Sequence, residues 1–338
     1  MGRGRPEPEE CSEAGTGRGA RLPTHRRRGA TAKANGGRFF PRQSSAVHFS
    51  LSAATGAHLG PEKILRPVTN TISEAVILMA GSGSRLRGPD QRMLKPLISV
   101  ARRPLISYTI DARAQAGITK INAVVGFESE RLSAAVSRLI PAGIEMRFIP
   151  NAEWQKSNGI SVLAAKEHIT PPFLLTMSDH LFEVAIVDLL IKAADVSFLN
   201  LAIDKKLRSI FDLADAMKIQ TRGDQVVAIG KDLENYDAID TGIFVCPGRF
   251  FDYLEKAKSR GRGSDCSLAD GVRLMAAEGG VRGIDIGEAW WQDVDTPEML
   301  ADVEKQLRSR RDRFAIASAG SKRGDSTENQ ANARNREP

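Results

Sequence analysis

The sequence predicts an α/β fold: a mixed, mostly parallel central sheet with helices on both faces. Two patterns carry this. Between residues 74 and 178, short apolar runs alternate with amphipathic helical patterns, and strand–helix–strand repetition implies parallel strands joined by crossover helices. After Asp179 the strand candidates crowd together, which marks a mixed or antiparallel extension. Size agrees: 338 residues, 41% hydrophobic, suffice for one large domain with a sizeable core.

In chain order, strands are expected at 74–80, 120–125, 145–149 and 173–178. Helices are expected between them at 104–116, 129–139 and 159–168. The apolar runs are short, as single buried strands are. Further strands follow at 196–203, 216–220, 225–229 and 239–246. A last helix, 297–308, closes the fold with Pro297 suited to its first turn. Residues 1–73 are rich in Gly, Arg, Pro, Ser and Ala and include Arg26-Arg27-Arg28. Such composition cannot bury enough apolar surface to offset ordering, so a disordered arm is expected there, as is a frayed tail at 311–338. The catalytic domain is expected to span 74–310.

Charge excludes one class of partner. The net charge is +7, but residues 1–73 carry 12 basic and 5 acidic side chains, whereas 74–307 carry 28 basic and 32 acidic. A nucleic-acid reader concentrates basic charge on its folded body, so no nucleic-acid partner is expected. Nor does any run approach the roughly 18 to 20 apolar residues of a membrane span. The three cysteines, Cys11, Cys246 and Cys266, lack metal-ligand spacing and suggest a reducing, cytoplasmic setting.

Three segments carry chemistry. The first is Leu78-Met79-Ala80-Gly81-Ser82-Gly83-Ser84-Arg85-Leu86, followed later by Leu94-Lys95-Pro96-Leu97. A glycine loop after a buried strand lets backbone N–H groups approach phosphate oxygens, and Arg85 and Lys95 add positive charge. There is no third glycine in dinucleotide-binding spacing and no Gly-Lys-Ser/Thr. The second is Leu174-Leu175-Thr176-Met177-Ser178-Asp179-His180. A carboxylate at the C-terminal end of a buried parallel strand lies where open α/β sheets bind ligands, and Asp179 suits a hard cation. The competing reading is a cap for the next helix. The third is Trp290-Trp291-Gln292-Asp293-Val294-Asp295-Thr296-Pro297. Its two carboxylates share one face of an extended segment. One could complete a magnesium site with Asp179, and the other orient it or cap the final helix; taken alone, the segment reads as a capped helix start.

Taken together and in this order, the three segments resemble the sugar-phosphate nucleotidyltransferase superfamily over residues 74 to about 308. Asn158-Gly159-Ile160-Ser161, Met177-Ser178-Asp179-His180, Ile229-Gly230-Lys231-Asp232-Leu233 and Ile239-Asp240-Thr241-Gly242-Ile243-Phe244 extend the resemblance. With Trp291-Gln292-Asp293-Val294-Asp295-Thr296 they are similar to CTP:inositol-1-phosphate cytidylyltransferases and the related phosphocholine cytidylyltransferases. Ala202-Ile203-Asp204-Lys205-Lys206 falls where that family has an Asp-led basic turn.

The resemblance implies a Rossmann-like nucleotidyltransferase fold and a set of roles. Ala80, Gly81, Ser82, Gly83, Arg85 and Lys95 would bind nucleotide phosphates. Asn158 and Ser161 would lie near the nucleoside. Asp179 and Asp295 would hold Mg²⁺. Lys231, Asp240, Thr241 and Asp204 would face the acceptor. The implied reaction moves CMP from CTP to inositol 1-phosphate, a step toward phospholipid biosynthesis. Met79-Ala80-Gly81 departs from the usual Ala-Ala-Gly, at a position expected to be buried. In an archaeal form this domain is fused to a membrane CDP-alcohol phosphotransferase. No apolar segment of that kind follows here, so a separate enzyme is expected to consume the product. Phosphocholine or a sugar 1-phosphate are alternative acceptors. A choline site would need an aromatic cage, for which Trp154, Tyr236, Trp290 and Trp291 are the candidates. A non-catalytic nucleotide sensor is the alternative from another class.

Overall fold

The computed structural model describes residues 72–87 and 93–310. The tails expected to be disordered lie outside the described residues, apart from Ile72 and Ser73. The elements are β1 (Glu74–Met79), α1 (Ser84–Arg87), β2 (Ser99–Val100), β3 (Arg103–Pro104), α2 (Leu105–Gln115), β4 (Lys120–Val125), α3 (Ser129–Val136), β5 (Glu145–Pro150), α4 (Asn158–Ala164), β6 (Phe173–Met177), β7 (His180–Phe182), α5 (Val184–Ala193) and β8 (Leu199–Asp204). There follow β9 (Lys218–Arg222), β10 (Gln225–Gly230), β11 (Ala238–Cys246), α6 (Phe250–Arg260), α7 (Leu268–Ala277), β12 (Val281–Asp285), β13 (Trp291–Asp293) and α8 (Pro297–Ser309).

Nine strands form one sheet in the order β5-β4-β1-β6-β11-β8-β12-β10-β9. The first four run parallel. At β11 the direction reverses against β6 and β8, and the parallel β8–β12 pair leads to antiparallel β10 and β9. The expected change of pattern after Asp179 is this reversal.

β1 shows why the sheet is covered on both faces. Side chains alternate along a strand, and every residue from Ala75 to Met79 is buried. Val76, Leu78 and Ala80 join one core layer with α6 and α7 residues such as Phe250, Leu254 and Val272. Ala75, Ile77 and Met79 join the other, with Ile106, Ile110, Leu132 and Ile186 from α2, α3 and α5. A continuous apolar run is therefore what a central strand of this sheet needs. Fully burying side chains such as Ile77 or Phe244 contributes about 1.5–3 kcal/mol each. A smaller third cluster, with Leu86, Val100, Leu181, Val294, Val303 and Leu307, packs α8 against α1 and the short strands β2 and β7.

The expected helix at 159–168 is α4 followed by a separate 3-10 turn, Lys166–His168. The expected helix at 129–139 divides in the same way, into α3 and the turn Ser137–Leu139.

The β2–β3 hairpin turns on Ala101 and Arg102, both at positive φ (46° and 71°). Two consecutive positive φ values are the pattern of a tight two-residue hairpin, which favours Asn-Gly. The Ala101 N–H donates to Glu304 of α8 at 3.0 Å, tethering the turn. We expect Arg102→Gly to stabilise the fold by about 0.5–1 kcal/mol, seen as a higher urea midpoint with unchanged slope. An unchanged or lower midpoint would show that the turn carries no backbone strain.

Candidate active site

A cleft of about 990 Å³ opens at the C-terminal ends of β1 and β6, where open α/β sheets take ligands. β1 ends at Met79, which is buried as expected. The chain then turns through Ala80, Gly81, Ser82 and Gly83 into α1. Gly83 has φ +63°, and a Cβ there would stand 2.5 Å from the Lys95 Cβ. Glycine at this point lets Lys95 lie against the loop. Ala80, Gly81, Gly83, Arg85 and Lys95 all line the cleft, whereas Ser82 is not among its lining residues.

Asp179 occupies the turn between β6 and β7. β7 pairs antiparallel with β13, setting His180 opposite Asp293, and the Val294 N–H donates to the Asp179 carbonyl at 2.9 Å. This short pairing carries Asp295 to Asp179. The final helix is capped by Thr296, whose hydroxyl accepts from the Met299 N–H, so Asp295 is not its cap. Asp179 is not a cap either, since α5 starts after Glu183 without a side-chain cap.

Lys95 joins the two carboxylates. Its ammonium donates to Asp179 Oδ2 at 2.5 Å and to Asp295 Oδ1, and it is itself buried. Burial alone would lower the Lys95 pKa, but Asp179 and Asp295 outweigh it and raise it. Burial would likewise raise that of Asp179, but Lys95 and His180 hold it far below the usual carboxylate range. Asp293 goes the other way, raised by burial and by its neighbours Asp295 and Asp179 against His180.

His180 takes part in this arrangement. Its Nδ1 lies 2.7 Å from Asp179 Oδ1, and its ring stacks on Trp291 with centroids 5.9 Å apart. The Trp291 indole N–H donates to Asp204 Oδ2 at 3.0 Å. Asp204 also accepts from the Lys206 N–H and pairs with its ammonium. Its carboxylate therefore braces the cleft wall, and the residue also lines the cleft. Thr241, expected at the acceptor, lies elsewhere. It is fully buried, donates its hydroxyl to the Ala202 carbonyl at 2.8 Å and is not among the lining residues. Alternation along β11 turns it into the core while Asp240 and Gly242 face the cleft.

The remaining expected residues line the same cleft. Asn158 accepts from the Leu268 N–H at 2.8 Å, and the Ser161 hydroxyl accepts from Asn151 at 3.0 Å. Lys231, at the end of β10, pairs with Asp215. Arg85 donates to Asp215 at 3.1 Å and to Asp295 at 2.7 Å. Asp215 and the bracing role of Trp291 were not read from the sequence. Asp215 lies between strands in a segment without a motif, so no local signal marks it.

Two carboxylates gripping one ammonium form an oxygen pair suited to a hard divalent cation. Among the described residues no group of three or more His, Cys, Asp or Glu is arranged to hold a metal. A cation at Asp179 and Asp295 would therefore take its other ligands from substrate phosphates and water.

With the geometry in place, comparison with known proteins is informative. Residues 75–209 match the MobA-like NTP transferase domain. Over that stretch the chain is similar to this family's nucleotidyltransferase domain. It is 33% identical over 239 residues to a "Bifunctional IPC transferase and DIPP synthase" of Aquifex aeolicus, covering 70% of this chain and 52% of that protein. A protein of the same name from Thermococcus kodakarensis is 33% identical over 69% of this chain and 50% of its own. The chain thus spans about half the length of these curated relatives. Among solved structures, the inositol-1-phosphate CTP transferase from T. maritima shares the fold, with TM-score 0.62 and 23% identity over 70% of this chain and 96% of that one. A UDP-glucose pyrophosphorylase complexed with UDP-glucose has TM-score 0.59 at 14% identity.

Asp240 yields a test of site electrostatics. Burial lifts its carboxyl to about 6, against the Gly242 N–H and the charge of His180, which lower it. The unfolded chain ionises at the ordinary, lower value. The folded protein therefore loses stability as pH rises from about 4 through about 6, and the loss is complete above that range. Asp240→Asn removes the ionisable group and still offers an oxygen to Gly242. We expect it to raise stability by up to about 3 kcal/mol near pH 8 and by little near pH 4. Melting curves at both values measure it, and a pH-independent gain would contradict the ionisation.

Proposed function

We propose that residues 74–310 form a cytidylyltransferase domain that moves CMP from CTP to inositol 1-phosphate and releases pyrophosphate. The observation that carries the proposal is Lys95 held between Asp179 and Asp295 in a cleft whose other rim carries Lys231 and Asp240. The names of the relatives and the structural neighbour support the choice of nucleotide and acceptor.

In this reading the acceptor's phosphate monoester attacks the nucleotide α-phosphorus and pyrophosphate leaves. The attacking oxygen is already anionic at neutral pH, so no side-chain base is needed. The residues position the groups and neutralise charge. Arg85 and Lys95, beside the glycine loop, balance the departing pyrophosphate. Lys231 balances the acceptor phosphate. Asp179 and Asp295 would hold Mg²⁺, which when bound supplies charge neutralisation at the phosphates. Cys246 is fully buried, and burial pushes its thiol well up, which leaves it inert as a nucleophile. The cysteine usage favours the cytoplasm, and a membrane CDP-alcohol phosphotransferase fits as consumer of the product. Among the described residues no helix is long and apolar enough to cross a membrane.

A phosphocholine acceptor finds less support. Tyr236 is not among the lining residues, Lys218 lies over its ring, and Arg310 lies over that of Trp290. Trp154 and Trp291 do line the cleft but already pack on Phe127 and His180, which leaves less aromatic surface for a quaternary amine.

Pyrophosphate release should be measured with Mg²⁺, crossing four nucleotides with a panel of phosphorylated acceptors. Release with CTP and inositol 1-phosphate is expected. Release with another pair would keep the chemistry and replace the substrate. Nucleotide binding without release would favour a sensor. Asp179→Asn should lower turnover at least about 100-fold with an unchanged circular dichroism spectrum, and full activity would remove Asp179 from the chemistry.

A further inference from the structure

The segment between β8 and β9 carries a carboxylate that the reaction above does not use. Asp215 pairs with Arg85 through Oδ2 at 3.1 Å and with Lys231 through Oδ1. These cations come from distant parts of the chain, one beside the glycine loop and one at the end of β10. Asp215 is the anion they share. Hydrogen bonds hold the C-terminal part of its segment. The Ala216 N–H donates to the Asp212 carbonyl at 3.1 Å, and the Asp240 N–H donates to the Met217 carbonyl at 2.9 Å. Ile210, Phe211 and Met217 of the same segment line the cleft, and Phe211 is half exposed, one of the few large apolar side chains that are.

We propose that Asp215 is a placeholder for substrate phosphate: it holds Arg85 and Lys231 when no phosphate is present and must release them when one binds. This rests on the reading of the cleft as a phosphate site. The physical basis is direct competition. A carboxylate and a phosphoryl oxygen seek the same guanidinium and ammonium donors. Apparent affinity falls with the fraction of protein whose cations are already occupied. Asp215 is about half exposed, 46% at its side chain, so each pairing is weak and reversible on the scale of surface ion pairs. The site then stays electrically balanced when empty, and phosphate is bound at the expense of an internal pair. Asp215 thereby sets how strongly an anion must bind to take the cleft.

The test is equilibrium binding of pyrophosphate to the full chain by calorimetry, for the wild type, Asp215→Asn and Asp215→Glu. No turnover or acceptor is needed, so the result is independent of whether CTP and inositol 1-phosphate are the substrates. Asp215→Asn is expected to bind pyrophosphate about three- to tenfold more tightly at low ionic strength, with the gain shrinking at about 1 M salt. Asp215→Glu should stay near the wild type. Weaker or equal binding by Asp215→Asn would overturn the proposal, since it would make Asp215 a residue that only holds the two cations in position. Pyrophosphate binding by none of the three proteins would overturn the reading of the cleft itself.

Discussion

Two carboxylates cannot converge in a half-buried cleft without a counter-charge, and Lys95 supplies it. Asp179 and Asp295 come from distant parts of the chain, and both bond to one ammonium. Like charges so close would otherwise raise each other's pKa or push the segments apart. Much of the surrounding structure serves this meeting. Gly83 makes room for the lysine stem. The short β7–β13 pairing aligns the two acidic segments. Thr296 takes the helix-capping duty that would otherwise draw an aspartate away.

A second tier keeps Asp179 in place. Asp204, Trp291 and His180 form a chain of one hydrogen bond, one ring stack and a second polar contact ending on the Asp179 carboxylate. Gly242, at φ +73°, packs so close to His180 that a Cβ would lie 2.7 Å from its Nε2. The Asp-Thr-Gly segment of β11 is thus explained by packing on the histidine as much as by the cleft. Rigid support of this kind matters because small displacements of a positioned group are costly in a reaction that depends on placement.

The strands were legible where burial on both faces leaves an uninterrupted apolar run, as in β1 and β6. β12, Val281–Asp285, was not, because Gly283 and Arg282 break its pattern and its place is set by parallel pairing with β8. The cleft residues at strand ends were legible because short motifs carry them: the glycine loop, Lys95, Asp179 and Asp295 all meet. Thr241 was misread because its neighbours face the cleft, and only the alternation of a strand of known register decides between them. Asp215 was invisible because its significance lies in two partners far away in sequence, Arg85 and Lys231.

That division has a consequence for how substrate choice is built. The family match ends at residue 209, with the glycine loop, Lys95 and Asp179 inside it. Asp215, Lys231, Asp240 and Asp295 lie beyond, yet the fold returns all of them to the same cleft. Asp179 therefore lies inside the matched segment and Asp295 outside it, so the carboxylate pair is complete only when the later part of the chain folds back. The fold persists in neighbours at 14% and 23% identity because layer alternation constrains only polarity and volume. What the layers leave open is the cleft, where Arg85, Lys95 and Lys231 each already hold an internal carboxylate that an incoming anion has to replace or build upon.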